Sequence, residues 1–236
     1  MTIQPQKKTS RGLHVFATAR TASKTGSLAS LPHVTLLSLD MTSAESLAAA
    51  AAAVSEQTGG RLDYLVNNPG LQFVGPLLDF DLRRARDMYE VNVLGAVAAV
   101  KAFAPLIIAA KGTVVNIASI AGLMYPPYMG LYAATKSALT TASECLRLEL
   151  RPFNVNVATV ITGVVRTRIF ANAPQHRLPA HSLDFARDLA ARVLRGAEGR
   201  VYVGNMSTAV RVLTAWFPTW VVDYLTVANT GLDHLP

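Results

Sequence analysis

One stretch of the chain, Val114 to Lys136, restricts the possible folds more than any other. Residues 113–117 are mostly apolar and β-branched and lead to Ser119, as in a strand that is buried on both faces of a parallel sheet. A loop with glycines and prolines follows, and the next helix carries Tyr132 and Lys136. The stretch therefore predicts one strand–helix unit of an α/β protein.

The same stretch predicts a catalytic site. Tyr132 and Lys136 are four residues apart, so they share one face of a helix. Open α/β sheets carry their chemistry at the carboxyl ends of the strands, where Ser119 is expected to meet the pair. An ammonium near a phenol lowers the phenol pKa from about 10, so Tyr132 is predicted to donate a proton near neutral pH. A tyrosine and a lysine at this spacing also occur on ordinary helices, so the motif depends on its context.

The hydrophobic pattern predicts the other elements. Strands are expected at 13–18, 34–40, 62–67, 154–161 and 201–204. Helices are expected at 42–57, 79–90, 91–103, 131–151 and 184–195, with Thr42 and Glu45 as a capping box. Asn92 lies at the junction of two helical segments, where its amide is expected to bond to the backbone and bend the helix.

The chain as a whole resembles the short-chain dehydrogenase/reductase family, and within it the fungal reductases of the acyl-dihydroxyacetone-phosphate reductase type. Asn68, Asn92, Ser119, Tyr132 and Lys136 stand in the order typical of that family. The resemblance covers nearly all of residues 12–170 and, more weakly, the tail. The segments that carry it are HVFATAR (14–20), LDYLVNNPG (62–70), APLIIAAKGTVVNIASIAG (104–122) and GLDHL (231–235).

The resemblance implies one Rossmann-like domain over residues 1–236, with a doubly wound parallel sheet and an apolar C-terminal extension at 205–236. Such reductases open with a strand, a glycine-rich turn and a helix, whereas here residues 1–12 resemble only a truncated remnant of that unit. About two dozen residues are expected to be missing between Thr9 and Arg11. The missing strand is central in this fold, so its neighbours are expected to lose ladder partners.

Three explanations of this departure stay open. Incorrect or alternative splicing would excise an internal segment cleanly. Evolutionary loss would leave a protein with a different or reduced function. Alternatively, residues 1–18 have rearranged to occupy the vacant strand position.

The resemblance also implies a role for each site residue. Tyr132 would protonate the substrate, Lys136 would lower the tyrosine pKa and hold the cofactor ribose, Ser119 would orient the carbonyl oxygen, and Asn92 would complete a water relay. The cofactor-binding set would be Arg20, Asp40, Asn68, Tyr132, Lys136 and Thr167. A positive charge at Arg20 suits a 2′-phosphate and therefore NADPH, while Asp40 would contact the adenine, Asn68 the ribose side and Thr167 the nicotinamide carboxamide.

The composition of the chain limits which ligands it can bind and in which cellular compartment it is expected. With 236 residues, 51% of them hydrophobic, the chain is expected to form one domain with a substantial core. The net charge of +7 favours anionic ligands, but the basic residues are scattered and show no nucleic-acid motif. Cys145 is the single cysteine, which suits a reducing compartment, and it is expected in the core. His176 and His181 are not spaced as metal ligands, so no metal is expected.

The predicted location is cytoplasmic. The N-terminus lacks the apolar core of a secretory signal, and no apolar run is expected to reach the roughly 20 residues of a membrane span. The aromatic tail, 209–228, could cap a pocket, form a homodimer surface or lie in a membrane interface. By resemblance, that interface would be the endoplasmic reticulum or a lipid droplet.

The sequence therefore predicts an enzyme that uses NADPH to reduce a ketone to a secondary alcohol. The substrate would be similar to acyl-dihydroxyacetone phosphate or would be a ketone of secondary metabolism. One alternative is a non-redox isomerase or cyclase that keeps the Tyr132 and Ser119 pocket without the phosphate loop. Another is an inactive scaffold that packs with intact relatives through its helices.

Overall fold

The computed structural model describes residues 12–21, 28–163, 182–204 and 206–227. The strands in these ranges are β1 (Val15–Ala19), β2 (Val34–Ser38), β3 (Tyr64–Asn67), β4 (Thr113–Ile117), β5 (Asn156–Thr162) and β6 (Gly199–Val203). The α-helices are α1 (Ala44–Thr58), α2 (Leu82–Tyr89), α3 (Gly95–Ala110), α4 (Gly130–Leu150), α5 (Ser182–Leu194), α6 (Ser207–Trp216) and α7 (Thr219–Val227). Every predicted strand is present, and its bounds differ from the prediction by no more than two residues.

All strand pairs are parallel, which confirms the predicted α/β fold. β1 pairs with β2, and a second sheet has the order β3-β4-β5-β6. Within the described ranges no ladder joins β1 or β2 to β3. Among the described residues the strands thus form a divided sheet, with two parallel strands in one part and four in the other.

Apolar layers cover both faces of the larger sheet. On one face, Phe185, Leu189 and Val193 of α5 pack on β4, β5 and β6. On the other face α1 and α3 form a second cluster with Val114 and Val157, against which Phe16 of β1 and Leu37 of β2 also pack. This second cluster connects the two parts of the divided sheet.

Two local expectations about the helices are corrected. Ser43, not Thr42, caps α1, because its hydroxyl accepts from the Ser46 amide at 3.1 Å, while the Thr42 hydroxyl donates to Asp40. α3 does not end at Phe103 but continues through Pro105 to Ala110. Leu106 and Ile107 are buried beyond the proline, so their packing outweighs the one backbone hydrogen bond that proline removes.

No uninterrupted apolar run reaches the roughly 20 residues of a membrane span, as expected, because Asn92 and Lys101 interrupt the longest apolar helix. By length and composition alone, however, that helix is apolar enough to cross a membrane. The continuous helical segment Leu82–Ala110 has a mean hydropathy of 2.2 in its most apolar window. Here that segment packs on the sheet, with Phe103 and Ile107 in the core. Only 39% of its most apolar window is buried, however, and Leu94 and Val97 on the same segment are 53% and 49% exposed.

Candidate active site

Ser119 is positioned by the end of β4. It follows the strand by two residues and caps a single 3-10 turn (Ile120–Gly122), its Oγ accepting from the Ala121 amide at 3.1 Å. Gly122 then lies directly against α4, because a Cβ atom there would be 2.7 Å from the Ser137 nitrogen and 2.8 Å from the Lys136 carbonyl carbon. Glycine at 122 therefore allows the strand end to touch the helix beside Lys136. Sequence reasoning counted this glycine only as part of a loop.

Tyr132 is buried, with 8% of its surface exposed, and shares a side-chain hydrogen bond with Ser119. Burial raises the pKa of Tyr132 to about 12, although the hydrogen bond with Ser119 acts in the opposite direction. The net shift is opposite to the lowering expected from Lys136, because removal of the phenol from water is the larger effect. Tyr132 therefore holds its proton at neutral pH.

Lys136 is held between two backbone carbonyls and the tyrosine ring. Its Nζ donates to the Ile117 carbonyl at 2.9 Å and to the Pro69 carbonyl at 3.4 Å. The same atom lies 5.9 Å from the centroid of the Tyr132 ring, within reach of a cation–π contact. Only 3% of Lys136 is exposed, and this burial lowers its pKa to about 8. Lys136 is thus an ammonium at neutral pH that titrates just above it.

Asn92 is fully buried within a π-helical turn, Glu90–Leu94. Its Nδ2 donates to the Leu71 carbonyl at 2.9 Å, and its Oδ1 accepts from the Leu71 amide at 2.8 Å. The expected backbone contact is therefore present, but it reaches the loop after β3 and not the helix of Asn92. Nδ2 also donates to the Thr135 hydroxyl at 3.1 Å, which in turn donates to the Tyr132 carbonyl at 2.7 Å. Sequence reasoning missed Thr135, since a threonine inside a helix gave no signal.

Ser119, Tyr132 and Lys136 thus meet beyond the carboxyl end of β4, and Asn92 is linked to them through Thr135. The sequence profile of the short chain dehydrogenase family matches residues 6–178. The chain belongs to the short-chain dehydrogenase family. This assignment confirms the predicted family and the prediction of an oxidoreductase enzyme.

Fungal and bacterial members of the short-chain dehydrogenase family are similar over most of the chain. Short-chain dehydrogenase ptmH of Penicillium ochrochloron is 38% identical over 94% of this chain and 90% of its own length. The NADPH-dependent 1-acyldihydroxyacetone phosphate reductase of Schizosaccharomyces pombe is 37% identical over 67% of this chain and 53% of its own. A crystal structure of a short chain dehydrogenase from Burkholderia cenocepacia J2315 in complex with NADP superposes with a TM-score of 0.80. It is 28% identical and covers 94% of this chain and 90% of its own.

The alignment with ptmH includes gaps in this chain. It spans 247 positions, whereas 94% of this 236-residue chain is about 222 residues. About 25 aligned positions therefore have no counterpart in this chain.

The residues predicted on the cofactor side follow the strand ends. Arg20 is exposed after β1, and Asp40 follows β2 by two residues. Hydrogen bonds from the Thr42 amide and hydroxyl lower the pKa of Asp40, and the positive charge of Arg20 contributes in the same direction. Asn68 is half-buried directly after β3. Thr167 lies outside the described residues.

The described residues could bind the adenosine and nicotinamide ends of a dinucleotide better than the pyrophosphate between them. At one end, Arg20 and Asp40 present a charged and a polar group at neighbouring strand ends. At the other, the hydroxyl of Thr162, the last residue of β5, is buried with no hydrogen-bond partner among the described residues. Between them, none of the strand ends in the described ranges carries the glycine-rich turn that binds a pyrophosphate.

Proposed function

We propose that this short-chain dehydrogenase reduces a ketone to a secondary alcohol with NADPH as the hydride donor. The contact between Ser119 and Tyr132 carries the proposal, because it brings two hydroxyls together beside the buried Lys136. A carbonyl oxygen accepts hydrogen bonds from such a pair and takes a proton from one of them. Family membership supports the redox reaction.

The nicotinamide cofactor supplies the hydride when bound. Tyr132 keeps its phenol proton at neutral pH, so that proton is available to the oxygen of the reduced substrate. Ser119 donates a hydrogen bond that orients the same oxygen. The Lys136 ammonium favours the phenolate that forms as the proton leaves. Asn92 holds the loop at Leu71 against α4 and so supports a relay that returns a proton to Tyr132.

Arg20 and Asp40 would hold the adenosine end of NADPH, with Arg20 facing the 2′-phosphate. Asn68 and Lys136 would contact the ribose near the reactive ring. Two comparisons support NADPH: the bacterial structure contains NADP, and the fission-yeast reductase is named as NADPH-dependent. The contact of Thr167 with the nicotinamide carboxamide stays a prediction.

The substrate class follows from the relatives and the charge. The fission-yeast protein acts on a 1-acyldihydroxyacetone phosphate, according to its name. A net charge of +7 suits an anionic ketone of this kind. We therefore propose a substrate similar to acyl-dihydroxyacetone phosphate or a ketone of secondary metabolism.

One observation favours a second function. The described strand ends carry no glycine-rich turn, while Ser119 and Tyr132 are hydrogen-bonded to each other. An isomerase or cyclase needs this acid–base pair and no hydride. The inactive scaffold stays a third prediction. Its packing surface would include the half-exposed apolar residues Leu94 and Val97. The same surface would serve in a homodimer.

We also propose a cytoplasmic protein whose helical tail touches a membrane surface. Trp216 is 83% exposed, Phe217 50% and Leu225 51%. A tryptophan suits the membrane–water interface, and exposed apolar side chains beside it can enter that interface. The positive net charge favours an anionic lipid surface.

A ketone assay separates the first two functions. The purified protein would be supplied with acyl-dihydroxyacetone phosphate, with and without NADPH, and the products identified by mass spectrometry. Alcohol formed only with NADPH supports the reductase, and product formed without any nicotinamide supports the isomerase. The Tyr132→Phe variant should lose at least about 100-fold in rate, as expected for loss of a general acid. Tyr125→Phe is the matched control, since Tyr125 is 68% exposed.

A further inference from the structure

We infer that Asn116 and Ser143 are positioning residues that fix Lys136 against the end of β4. This inference rests on the proposed function in one respect, because the proposed function makes Lys136 a catalytic residue. Both side chains are buried, Asn116 with 3% and Ser143 with 1% of its surface exposed. Neither contacts the oxygen atoms of Ser119 or Tyr132 in the hydrogen bonds of the described residues.

A chain of side-chain hydrogen bonds crosses three elements. Asn67 Nδ2, at the end of β3, donates to Asn116 Oδ1 on β4 at 2.9 Å. Asn116 Nδ2 donates to Ser143 Oγ on α4 at 2.8 Å, and Ser143 Oγ donates to the Leu139 carbonyl at 2.6 Å. The Asn116 amide therefore has a partner on each side, one on a neighbouring strand and one on the catalytic helix.

This chain runs beside the contact that holds Lys136. Asn116 directly precedes Ile117, whose carbonyl accepts from Lys136 Nζ at 2.9 Å. Ser143 comes seven residues after Lys136, which places both on one face of α4, two turns apart. Strand β4 and helix α4 are thus joined at two consecutive strand positions, by Asn116 with Ser143 and by Ile117 with Lys136.

Loss of the Ser143 hydroxyl would leave the Asn116 amide buried without an acceptor. Such a group regains hydrogen bonds by rotating or by admitting water. Either change loosens α4 on β4 and hydrates the ammonium of Lys136. Among the described residues, Tyr132 is the ionisable side chain that contacts Lys136. The low pKa of Lys136 is caused by its burial. A looser contact should therefore raise the pKa of Lys136.

Thr140 provides a matched control on the same helix. It is 3% exposed, and its hydroxyl donates to the Lys136 carbonyl at 2.8 Å, four residues back, as Ser143 does to Leu139. In the hydrogen bonds of the described residues, only Ser143 of the two also accepts a bond from the strand. A Thr140→Val variant therefore loses a buried helix hydroxyl and keeps the bond between strand and helix.

The test is an NMR titration of the lysine side chains, labelled with ¹³C at Cε, in the unchanged protein and in Ser143→Ala, Ser143→Thr and Thr140→Val. The chain has six lysines, and Lys136→Arg identifies the resonance. Ser143→Ala should raise the pKa of Lys136 by about 0.5 or more, since the ammonium gains water. Ser143→Thr should restore the original value, and Thr140→Val should leave it unchanged.

An unchanged pKa in a folded Ser143→Ala protein, or equal shifts in Ser143→Ala and Thr140→Val, would overturn the inference. If Ser143→Ala does not melt cooperatively, Asn116→Ala replaces it, because Ser143 then keeps its bond to Leu139. The titration needs no substrate or cofactor, so its outcome is separate from that of the ketone assay. A shift without ketone reduction refutes only the proposed function, and reduction without a shift refutes only this inference.

Discussion

The side-chain amide of Asn92 forms two hydrogen bonds with the backbone of Leu71, at 2.8 and 2.9 Å. This reciprocal pairing ties the π-helical turn to the loop after β3. The same amide reaches Thr135 on α4. One buried side chain thereby fixes two segments that border the active site.

Replacement of Asn92 by alanine should destabilise the fold. The Leu71 amide and carbonyl would lose their partners in a buried place, at a cost of about 2 kcal/mol or more. In a chain of this size such a loss lowers the melting temperature by about 4–8 °C. Gln57→Ala, at an exposed amide, is the control and should melt within about 1 °C of the unchanged protein. Equal melting of Asn92→Ala and Gln57→Ala would refute the structural role of Asn92.

The pKa of Lys136 predicts how stability depends on pH. The folded protein gives up the lysine proton near pH 8, whereas the unfolded chain holds it to about pH 10.4. Between these values the unfolded state binds more protons, so the free energy of unfolding should rise with pH, by up to about 1.4 kcal/mol per unit. Urea denaturation from pH 7.5 to 9.5 measures this slope, and Lys136→Met should lose it. The same slope in both proteins would contradict the buried position of Lys136.

Tyr132 predicts the opposite trend at higher pH. Its pKa in the folded protein is raised to about 12, above the ordinary value of about 10. Between these values the folded state binds more protons, so stability should fall as pH rises. Tyr132→Phe should weaken this fall in urea denaturation between pH 10 and 11. An unchanged fall in the variant would contradict the burial of the phenol.

The contact of Gly122 with α4 should not tolerate a side chain. A Cβ atom at 122 would lie 2.7 Å from the Ser137 nitrogen, so Gly122→Ala must push the 3-10 turn away from the helix. We expect a loss of about 1–3 kcal/mol in unfolding free energy. Gly75→Ala is the matched control, because a Cβ atom there meets only the Phe80 ring, at 3.6 Å. Equal stability of the two variants would show that the close approach is absent in solution.

The proposed membrane contact can be measured by sedimentation with vesicles of phosphatidylcholine and phosphatidylserine. Trp216→Ala should reduce the bound fraction several-fold, since Trp216 is 83% exposed on the tail. Leu78→Ala is the control, because Leu78 is 99% exposed on a different segment. Equal binding of both variants, or no binding of the unchanged protein, would refute the proposed surface.

The sequence predicted the features that depend on local order along the chain. Ser119, Tyr132 and Lys136 could be placed together because a strand end and the spacing of four residues on a helix both follow from the sequence. The features that it missed depend on packing between distant segments. Gly122 matters only because α4 lies against it, and the high pKa of Tyr132 results from burial that no local pattern reveals.

The wrong predictions have the same origin. Cys145 was expected in the core, but it is exposed on α4. Neighbouring Ser143 is buried instead, because the face that meets β4 and β5 is set by the rotation of the helix on the sheet. Thr42 and Ser43 are both residue types that cap helices, with serine somewhat preferred. The Thr42 hydroxyl donates to the Asp40 carboxylate, and Ser43 therefore caps the helix.

The most direct test of the proposed reductase is a titration of the 236-residue protein with NADPH. Nucleotide fluorescence would report binding, and a thermal-shift assay would report cooperative folding. We predict saturable binding in the micromolar range by a protein that melts cooperatively, and Arg20→Ala should weaken the binding of NADPH more than that of NADH. A protein that melts cooperatively and binds no NADPH would contradict the account.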